Sequence, residues 1–433
     1  MRSLVIGLSI AATPVPAQTG FNGPMPCHVD MLEANIWMQC HAPCKAYLRY
    51  WPTDHADRVY RTTTLTAEPE EGNTLHFRLG DLEPGTEYSY VPFIDGAEAE
   101  LDGPLRFETQ QQWRYRSDPP DVTIALGSCA YINETAHDRP GTPFGGDYQI
   151  FDAIASKSPD MMIWAGDNVY LRDPDWGSWS GYLHRYTHAR SLQEIQGLLR
   201  STKHYATWDD HDFGPNNADG AFVNSALARD AFRLFWTEPG SRFREDRGIA
   251  WSFSHGDADF FLVDDRSFRV PPELNTMPHT LFGRSQLDRL VQQLSSSTAR
   301  FKFVVVGGQV LNPTAVHENF ANYTEERGEL LERLDEENIH GVVFLTGDRH
   351  FTELSEMQLP GGNRLLEVTS SPLTAKAYPA EAAHPLRVEG TLVEKRNFVL
   401  IKLQGPAEAR EIRFEAYDRV GDLLWSRTYG MDR

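Results

Sequence analysis

The chain has 433 residues, of which 40% are hydrophobic and 24% charged, and its formal net charge is −20. This length exceeds one ordinary core, so we expect two or more domains in a globular protein. The acidic balance excludes a general affinity for nucleic acid or an anionic membrane, because either would need a basic face. We expect a monomer, with no nucleic acid as a structural partner and no stable membrane insertion.

Residues 1–17 have the features of an export signal. Arg2 precedes an apolar stretch over residues 4–12, and residues 15–17 end in a small residue suited to signal peptidase. The apolar stretch is too short to span a bilayer. We therefore predict that the mature chain begins near Gln18 and is periplasmic or secreted, where disulfides can form.

Four cysteines are present. Cys40 and Cys44 flank a three-residue loop between two strand-like runs, which favours a cross-strand disulfide. Cys27 competes as a partner for either, so the pattern leaves the connectivity open. Cys129 lies far away in sequence, and we predict that it is free.

Residues 18–115 are predicted to form an all-β domain. Short alternating runs recur with turn signals between them, as in immunoglobulin-like or fibronectin-like sandwiches. The predicted strands cover residues 35–39, 46–51, 74–79, 87–94 and 105–109. A polar stretch over residues 110–120 is the predicted linker.

Residues 116–433 are predicted to form a layered α/β domain, because apolar strand patterns alternate with helical ones. The tail differs, since its alternating runs over residues 398–429 predict a hairpin meander. Helices are predicted over residues 148–156, 179–199, 219–236, 284–294 and 325–337.

Five apolar runs in this region each end at side chains that can bind metal. Short continuous runs of this kind, closed by Gly, are typical of strands buried on both faces. Ligand sites in open α/β sheets gather outside the carboxyl ends of such strands. We therefore predict one metal site built from distant loops, at the ends of residues 122–129, 161–170, 206–217, 303–309 and 342–350.

The sequence GDNVY carries two candidate ligands. The two oxygens of Asp167 can face different cations, so this carboxylate can bridge a metal pair. Tyr170 can ligate only a metal acidic enough to remove its phenolic proton, which points to Fe(III). The simpler interpretation is a turn, because Gly-Asp-Asn is a turn signal in its own right.

Two further strand ends carry candidate ligands with simple alternatives. Cys129, in GSC, is either a ligand or an inert buried thiol. Asp348 and His350, in GDRH, are predicted to serve adjacent metals. The alternative for GDRH is a salt-bridged strand end involving Arg349.

The sequence DDHD is the densest group of candidates. Three carboxylates around one histidine repel one another unless a cation neutralises them, although a solvated acidic loop is the alternative. Asn216 adds a neutral oxygen typical of a hard-cation site. We predict that His211 is a proton donor or a phosphate contact, flanked by the carboxylates Asp209, Asp210 and Asp212.

The motifs GSC, GDNVY, WDDHDFGPN, VDDRSFR and GDRH, in this order, resemble the PhoD-like alkaline phosphatase family of the calcineurin-like metallophosphatase superfamily. The resemblance covers essentially the whole mature chain. It implies a four-layer α/β/β/α catalytic sandwich preceded by a β-sandwich domain. The chain departs from the wider superfamily where metal-binding histidines or asparagine are replaced, at Cys129, Asp210, Gln309 and Asp348.

Sorting the donors by softness divides them between two cations. The softer set suits Fe(III) and consists of Cys129, Asp167, Tyr170 and His350. The all-oxygen set suits Ca²⁺, with Mg²⁺ as an alternative, and consists of Asp167, Asp210, Asn216 and Asp348. The resemblance also implies iron with calcium. Asp209 is predicted to bind a further calcium or to support these ligands.

The predicted function is hydrolysis of phosphate esters by a metal-bound hydroxide that attacks phosphorus in line. We predict that His211, oriented by Asp212, protonates the leaving oxygen. Arg349 is the predicted phosphate contact. Gln309 and Arg266 are weaker candidates for substrate binding, and Arg266 has the alternative of anchoring a loop through buried salt bridges.

The sequence leaves open whether monoesters or diesters are the substrates. An aromatic-rich insert over residues 174–186 is either a lid or part of a packed helix. Phospholipase-D-like or nucleotide phosphodiesterase activity on the same fold is one alternative function. The other is a calcium-stabilised surface-binding protein without catalysis, although structural calcium requires neither thiolate nor phenolate.

Overall fold

The computed structural model describes residues 20–101, 103–237, 248–380 and 383–430. The predicted export signal at residues 1–17 lies outside these ranges. The described N-terminal residues form nine strands, namely β1 (Phe21–Val29), β2 (Ala34–Cys40), β3 (Lys45–Pro52), β4 (Tyr60–Arg61), β5 (Leu65–Thr66), β6 (Thr74–Leu79), β7 (Glu87–Ile94), β8 (Ala97–Glu98) and β9 (Leu105–Glu108).

These strands make two antiparallel sheets that share one core. One sheet has the order β1-β2-β6; the other has the order β4-β3-β7-β8, with β5 paired to β3 and β9 to β7. Alternate residues of β3 are buried, as a sheet with one solvated face requires. The shared core includes Ile36, Leu48, Phe77, Tyr90 and Phe107. The predicted β-sandwich is therefore present, while the limits 18–115 and 116–433 remain our proposal for the domains.

Cys40 and Cys44 form a disulfide that joins the end of β2 to the start of β3. Cys27 and Cys129 are both buried and free. The structure thus gives the connectivity that the sequence left open: Cys40 pairs with Cys44, and Cys27 pairs with neither.

The rest of the described chain alternates strands and helices. It contains β10 (Val122–Gly127), α1 (Gln149–Ser156), β11 (Met161–Ala165), α2 (Trp179–Arg190), α3 (Gln196–Ser201), β12 (Lys203–Thr207), α4 (Asp210–Phe213), α5 (Ser225–Phe235), β13 (Trp251–His255), β14 (Ala258–Leu262), α6 (Arg284–Ser296), β15 (Phe301–Val305), α7 (Thr324–Glu336), β16 (Val342–Thr346), β17 (Glu353–Gln358), β18 (Arg364–Thr369), β19 (Asn397–Gln404), β20 (Glu411–Asp418) and β21 (Leu423–Gly430).

Two six-stranded sheets pack face to face within the described residues. Their strand orders are β12-β11-β10-β19-β20-β21 and β13-β14-β15-β16-β18-β17. Inner-face side chains such as Ile124, Ile163, Phe260, Phe303 and Leu345 fill the space between them. Helices α1, α2, α3 and α5 cover the outer face of the first sheet, and α6 and α7 cover that of the second. The predicted four-layer α/β/β/α sandwich is confirmed.

Parallel strands bring the candidate loops to one end of the sandwich. Strands β10, β11 and β12 are parallel neighbours, as are β14, β15, β16 and β18. Glycines close several of these strands because the loops approach each other closely. A Cβ added at Gly307 would lie 2.6 Å from Cγ of Asp209, a distance that real Cβ atoms essentially never show.

Several elements differ from the sequence prediction. The helix predicted over residues 179–199 is two helices, α2 and α3, and the one predicted over residues 219–236 begins at Ser225. The run beginning at Ala206 leaves its strand after Thr207 and turns into α4. Among the described residues, no helix has the length and apolar character needed to cross a bilayer.

Candidate metal centre

Cys129, Asp167, Tyr170 and His350 meet at the carboxyl ends of β10, β11 and β16. The Cys129 sulfur lies 3.5 Å from Oδ2 of Asp167. The Tyr170 hydroxyl lies 3.0 Å from the same oxygen and 3.2 Å from Nε2 of His350. Ligating atoms of Cys129, Asp167 and His350 all lie within 4.8 Å of one another. The softer donor set predicted from the sequence is therefore brought together.

Four of these strand-end residues adopt a left-handed backbone conformation that non-glycine residues rarely use. The φ angles are 57° at Cys129, 53° at Asp167, 63° at Asp348 and 57° at His350. Each such residue costs of the order of 1–3 kcal/mol, and such costs concentrate at functional sites. The turns that present these four side chains therefore carry backbone strain.

The Cys129 thiol is enclosed by hydroxyl groups. The Ser371 hydroxyl donates to its sulfur at 3.1 Å, and the Ser128 hydroxyl lies 3.5 Å away. Burial raises the pKa of Cys129 to about 11. Without a cation the thiol is thus protonated at neutral pH, and a bound metal would compete with that proton. Ser371 is absent from the sequence prediction; it follows β18, whose sequence RLLEVT lacks the continuous apolar pattern of the other strands.

Asp167 is surrounded by negative charge. Burial raises its pKa well above the usual value, and the nearby Cys129, Asp210, Asp212 and Asp348 raise it further. Burial also raises the pKa of Tyr170, and Asp167 adds to that effect. Such clustered acidic groups are stable in ionised form only beside a compensating cation.

A second group of donors adjoins the first through Asp167. Ligating atoms of Asp167, Asp210 and His211 lie within 4.8 Å of one another. The His211 backbone N–H donates to Oδ1 of Asp167 at 3.3 Å, so both carboxylate oxygens of Asp167 face the site. The His211 ring packs on Tyr170 with ring centroids 4.2 Å apart. Burial lowers the pKa of His211.

Asp210 is held in place by the turn that follows α4. The Asn217 backbone N–H donates to Oδ2 of Asp210 at 2.6 Å. Burial favours the neutral form of Asp210, but His211 and Arg266 outweigh it and lower the pKa. Asn216 is exposed, and its amide donates to Asn217. The structure thus brings Asp210 to the site, whereas the Asn216 side chain is exposed and bonded to its neighbour.

Asp348 contributes charge to the same site. Its presence raises the pKa of Cys129 and Asp167. Its Oδ2 is buried without a hydrogen-bond partner among the described residues, and Arg349 forms an ion pair with it at 3.6 Å. A buried carboxylate oxygen with unused lone pairs is suited to a cation ligand.

Arg266 lies behind these ligands in a buried ion network. It pairs with Asp209, with Asp265 at 3.3 Å and with Glu318 at 3.0 Å. Asp209 also caps α4, and its Oδ2 has no hydrogen-bond partner in the described part of the chain. Ligating atoms of Asp209, Asp210 and Glu318 lie within 4.8 Å of one another. Glu318 lies in a loop without a recognisable motif, which is why the sequence did not single it out.

Two other predicted site residues point into the protein. Asp212 accepts from the backbone N–H groups of Asp209 and Val169 and fixes the GDNVY loop to α4. The Gln309 amide donates to Glu353 at 2.7 Å and to Thr369 at 2.9 Å. Both side chains are fully buried in these hydrogen bonds.

Aromatic side chains form a rim beside Tyr170 and His350. Tyr131 packs on Tyr170 with ring centroids 5.0 Å apart. The rings of Phe144 and Tyr378 pack against the His350 ring, with centroid distances of 5.8 Å and 5.1 Å. Tyr378 is 43% exposed, so this aromatic rim faces solvent. By contrast, Tyr182 and Tyr186 of the aromatic-rich insert lie on α2 and are buried in the helical layer.

The donor chemistry fits a pair of unlike cations. A thiol, a phenol, an imidazole and a carboxylate converge on one side, and carboxylates with an imidazole converge on the other. The first set suits a trivalent iron, and the carboxylates of the second suit a hard divalent cation.

Comparison with known proteins identifies the family of the chain. The profile of the PhoD-like phosphatase family matches residues 124–405. Alkaline phosphatase D of Bacillus subtilis (strain 168) is 23% identical over 354 residues, which cover 71% of this chain and 58% of that relative. This chain thus spans less than two thirds of the relative's length.

Solved structures agree in fold. The structure of PhoD superposes with a TM-score of 0.79 at 16% identity, covering 97% of this chain and 92% of that chain. The purple acid phosphatase PPD1 from yellow lupin seeds superposes with a TM-score of 0.67 at 12% identity, covering 95% and 74%. Because the family profile spans most of the chain, including every motif from GSC to GDRH, the chain belongs to the PhoD-like phosphatase family.

Proposed function

We propose that the chain is a secreted, metal-dependent hydrolase of phosphate esters with an Fe(III)–Ca²⁺ centre. The iron ligands in this proposal are Cys129, Asp167, Tyr170 and His350. The calcium ligands are Asp167, Asp210, Asp348 and Asn216. The observation that carries the proposal is the convergence of a thiol, a phenol, an imidazole and a carboxylate in strained turns from distant parts of the chain.

The protein's side chains position the ligands, and the metals act as Lewis acids. When bound, two such cations neutralise the charge of a phosphate ester and activate water for attack on phosphorus. Asp167 would belong to both ligand sets, because its Oδ2 accepts from the Tyr170 hydroxyl and its Oδ1 accepts from the backbone N–H of His211. Ser371 orients the Cys129 sulfur, and the carbonyl of Lys376 accepts from Nδ1 of His350 in the tautomer that leaves Nε2 to the metal.

His211 is the proposed proton donor to the leaving oxygen. Its ring packs against that of Tyr170, and its backbone belongs to the short helix α4. The hydrogen bonds of Asp212 fix the loop that carries Asp167 and Tyr170, so we assign Asp212 a positioning role in place of direct contact with His211. Arg349, next to Asp348 and His350, is the proposed phosphate contact.

Arg266 and Gln309 are proposed to act from behind the site. Arg266 neutralises Asp209 and Glu318 and so reduces the electrostatic repulsion among the clustered carboxylates. Gln309, in the loop after β15, donates to Glu353 of β17 and to Thr369 of β18. Both residues hold the ligand-bearing loops and leave the substrate face to Arg349 and the aromatic rim.

Two observations refine the proposal. The Cys40–Cys44 disulfide supports export, because such bonds persist in oxidising compartments. The solvent-facing aromatic rim supports diesters with an apolar or ring-bearing group, since aromatic side chains can cover such a group while the phosphate meets the metals. Monoester hydrolysis requires no such surface.

The proposal is tested by hydrolysis of aryl phosphate monoesters and diesters with purified, metal-loaded protein. We expect turnover of both, with a higher kcat/KM for diesters, and loss of turnover in Asp167→Asn. His55→Ala, which removes an exposed histidine of the N-terminal domain, is the matched control and should retain activity. Absence of hydrolysis by the metal-loaded protein would exclude the function, and a preference for monoesters would exclude the diester refinement.

A further inference from the structure

A second cluster of metal-binding side chains lies in the loop after β10 and on α2. Ligating atoms of Glu134, His137 and His184 all lie within 4.8 Å of one another. Oε1 of Glu134 is 2.9 Å from Nε2 of His184 and 3.9 Å from Nε2 of His137. The rings of His137 and His184 meet edge to face, with centroids 5.6 Å apart. None of these residues belongs to the candidate metal centre.

Local backbone structure explains why the donors converge. His137 lies one turn after Glu134, and its N–H donates to the Glu134 carbonyl at 2.9 Å. His184 and His188 are four residues apart on α2, so they share one face of the helix. Their rings stack with centroids 6.3 Å apart. A histidine pair at this helical spacing is a recurrent arrangement for binding zinc.

We propose that Glu134, His137 and His184 form a separate binding site for Zn²⁺, with His188, on the same face of α2, as the candidate fourth ligand. One carboxylate and two imidazoles, completed by His188 or by water, make a donor set that this ion accepts in four-coordinate geometry. The set has neither the thiol and phenol of the iron ligands nor the carboxylate excess of the calcium ligands. The inference goes beyond the proposed hydrolase function and does not depend on it.

An ion-pair cluster without a metal explains less of the geometry around Glu134 than a Zn²⁺ site does. Arg185 binds Oε2 of Glu134 at 2.8 Å, so one oxygen of this carboxylate is already compensated by a permanent charge. Oε1 remains directed at two imidazoles. Nδ1 of His188 is buried without a hydrogen-bond partner among the described residues, which an ion-pair cluster leaves unexplained. The His137 and His184 side chains are 35% and 46% exposed, so an ion can enter from solvent.

A metal at this site would tie α2 to the loop that carries part of the aromatic rim. Asp138 accepts from the Glu134 backbone N–H at 2.6 Å and from the Tyr131 hydroxyl at 2.7 Å. Arg172 binds the same Asp138 at 2.8 Å. Crosslinking Glu134 and His137 to His184 would therefore brace Tyr131 beside the candidate metal centre. We expect bound Zn²⁺ to raise the thermal unfolding temperature.

The test is calorimetric titration of Zn²⁺ into purified protein whose candidate metal centre is already loaded. We expect one additional equivalent to bind in wild-type protein and in the control His55→Ala. Affinity should fall at least tenfold in His137→Ala/His184→Ala, with circular dichroism confirming an unchanged fold. The rise in unfolding temperature on adding Zn²⁺ should be lost in the same double variant.

Zn²⁺ can also exchange into the candidate metal centre, so the titration is repeated in Asp167→Asn. The equivalent assigned to this cluster should persist in Asp167→Asn and disappear when the two histidines are removed as well. The single variants His137→Ala and His184→Ala give the same information should the double variant fail to fold. Equal Zn²⁺ binding with and without these histidines, or no additional equivalent in wild-type protein, would overturn the proposal.

Discussion

The Cys129 sulfur lies 3.5 Å from Oδ2 of Asp167, although 38 residues separate them in the chain. The two residues follow adjacent parallel strands, β10 and β11, and both have positive φ angles. A buried thiol beside a buried carboxylate is unfavourable unless a proton or a cation lies between them. This relationship is the basis for placing the softer cation at Cys129.

Cys129→Ser is expected to abolish iron binding and to lower kcat at least 100-fold while the protein remains folded. The hydroxyl cannot replace a thiolate as a soft ligand, and its neighbours Ser371 and Asp167 remain in place. Iron content and hydrolysis are measured on the same preparation. Cys27→Ser is the control, because Cys27 is also buried and free but lies in the N-terminal β-strand β1. Full iron content and activity in Cys129→Ser would refute the ligand assignment.

Arg266→Met is expected to destabilise the fold by about 3–5 kcal/mol, the usual cost of removing one partner from a buried ion pair. Arg266 is 1% exposed, and its loss would leave Asp209 and Asp265 without their ion-pair partner and Glu318 paired with Arg269 alone. Urea unfolding measures the effect.

The control for Arg266→Met is Arg284→Met, since Arg284 pairs with Asp288 at the surface. Exposed ion pairs contribute little to stability. Equal losses in the two variants would contradict a structural role for the buried network.

Phe144→Ala is expected to raise KM for aryl diesters several-fold and to change kcat much less. Phe144 is half-buried against His350 and contacts no predicted ligand through a polar atom, so it contributes apolar surface to the substrate. Steady-state kinetics with diesters that carry methyl or aryl groups measure the effect. Tyr60→Ala, an exposed aromatic of the N-terminal sandwich, is the control. Equal KM changes for methyl and aryl esters would show that the rim does not contact the ester group.

His204 should make the fold less stable in acid. Burial lowers its pKa from 6.5 to about 3, and the neutral ring accepts from Trp164 at 3.0 Å and bonds the Leu198 carbonyl at 3.1 Å. The unfolded chain binds the proton more readily, so the contribution is complete above pH 6.5 and decreases as the pH falls toward 3. Each pH unit in this window costs up to about 1.4 kcal/mol.

Urea unfolding at pH 7 and pH 5 tests this expectation. His204→Gln can keep both hydrogen bonds without titrating, so its free energy of unfolding should fall less on acidification than that of wild type. His55→Ala should behave like wild type. An identical pH dependence in His204→Gln would show that another group is responsible.

The strand-end rule explains what could be predicted from sequence. Continuous apolar runs closed by Gly identified the loops that carry Cys129, Asp167 and His350, because buried parallel strands have both a distinct composition and a common ligand-bearing end. The same rule does not identify Ser371, because β18 has the sequence RLLEVT, with an internal glutamate and no closing glycine. The hairpins β13–β14 and β17–β18 were not predicted, although Gly-Asp and Pro-Gly-Gly turns separate their strands.

Side-chain direction could not be predicted from sequence. Motif position placed Gln309 and Asp212 at the site, but their direction depends on partners in other strands and loops. Asp212 accepts from the backbone of its own helix start, which is a capping arrangement that competes with orienting His211. Glu318 joins the carboxylate cluster from a loop, and only the tertiary structure brings it there.

The central claim is that Tyr170 and Cys129 bind iron beside a second cation, and the most direct measurement is the visible absorption and iron content of purified protein. Tyrosinate bound to Fe(III) should give the wild-type protein a visible colour and about one iron per chain. Tyr170→Phe should lose the absorption band, while Tyr131→Phe, which alters the neighbouring tyrosine, should retain it. A colourless, iron-free wild-type protein that still hydrolyses phosphate esters, or a Tyr170→Phe variant with an unchanged band, would contradict the account.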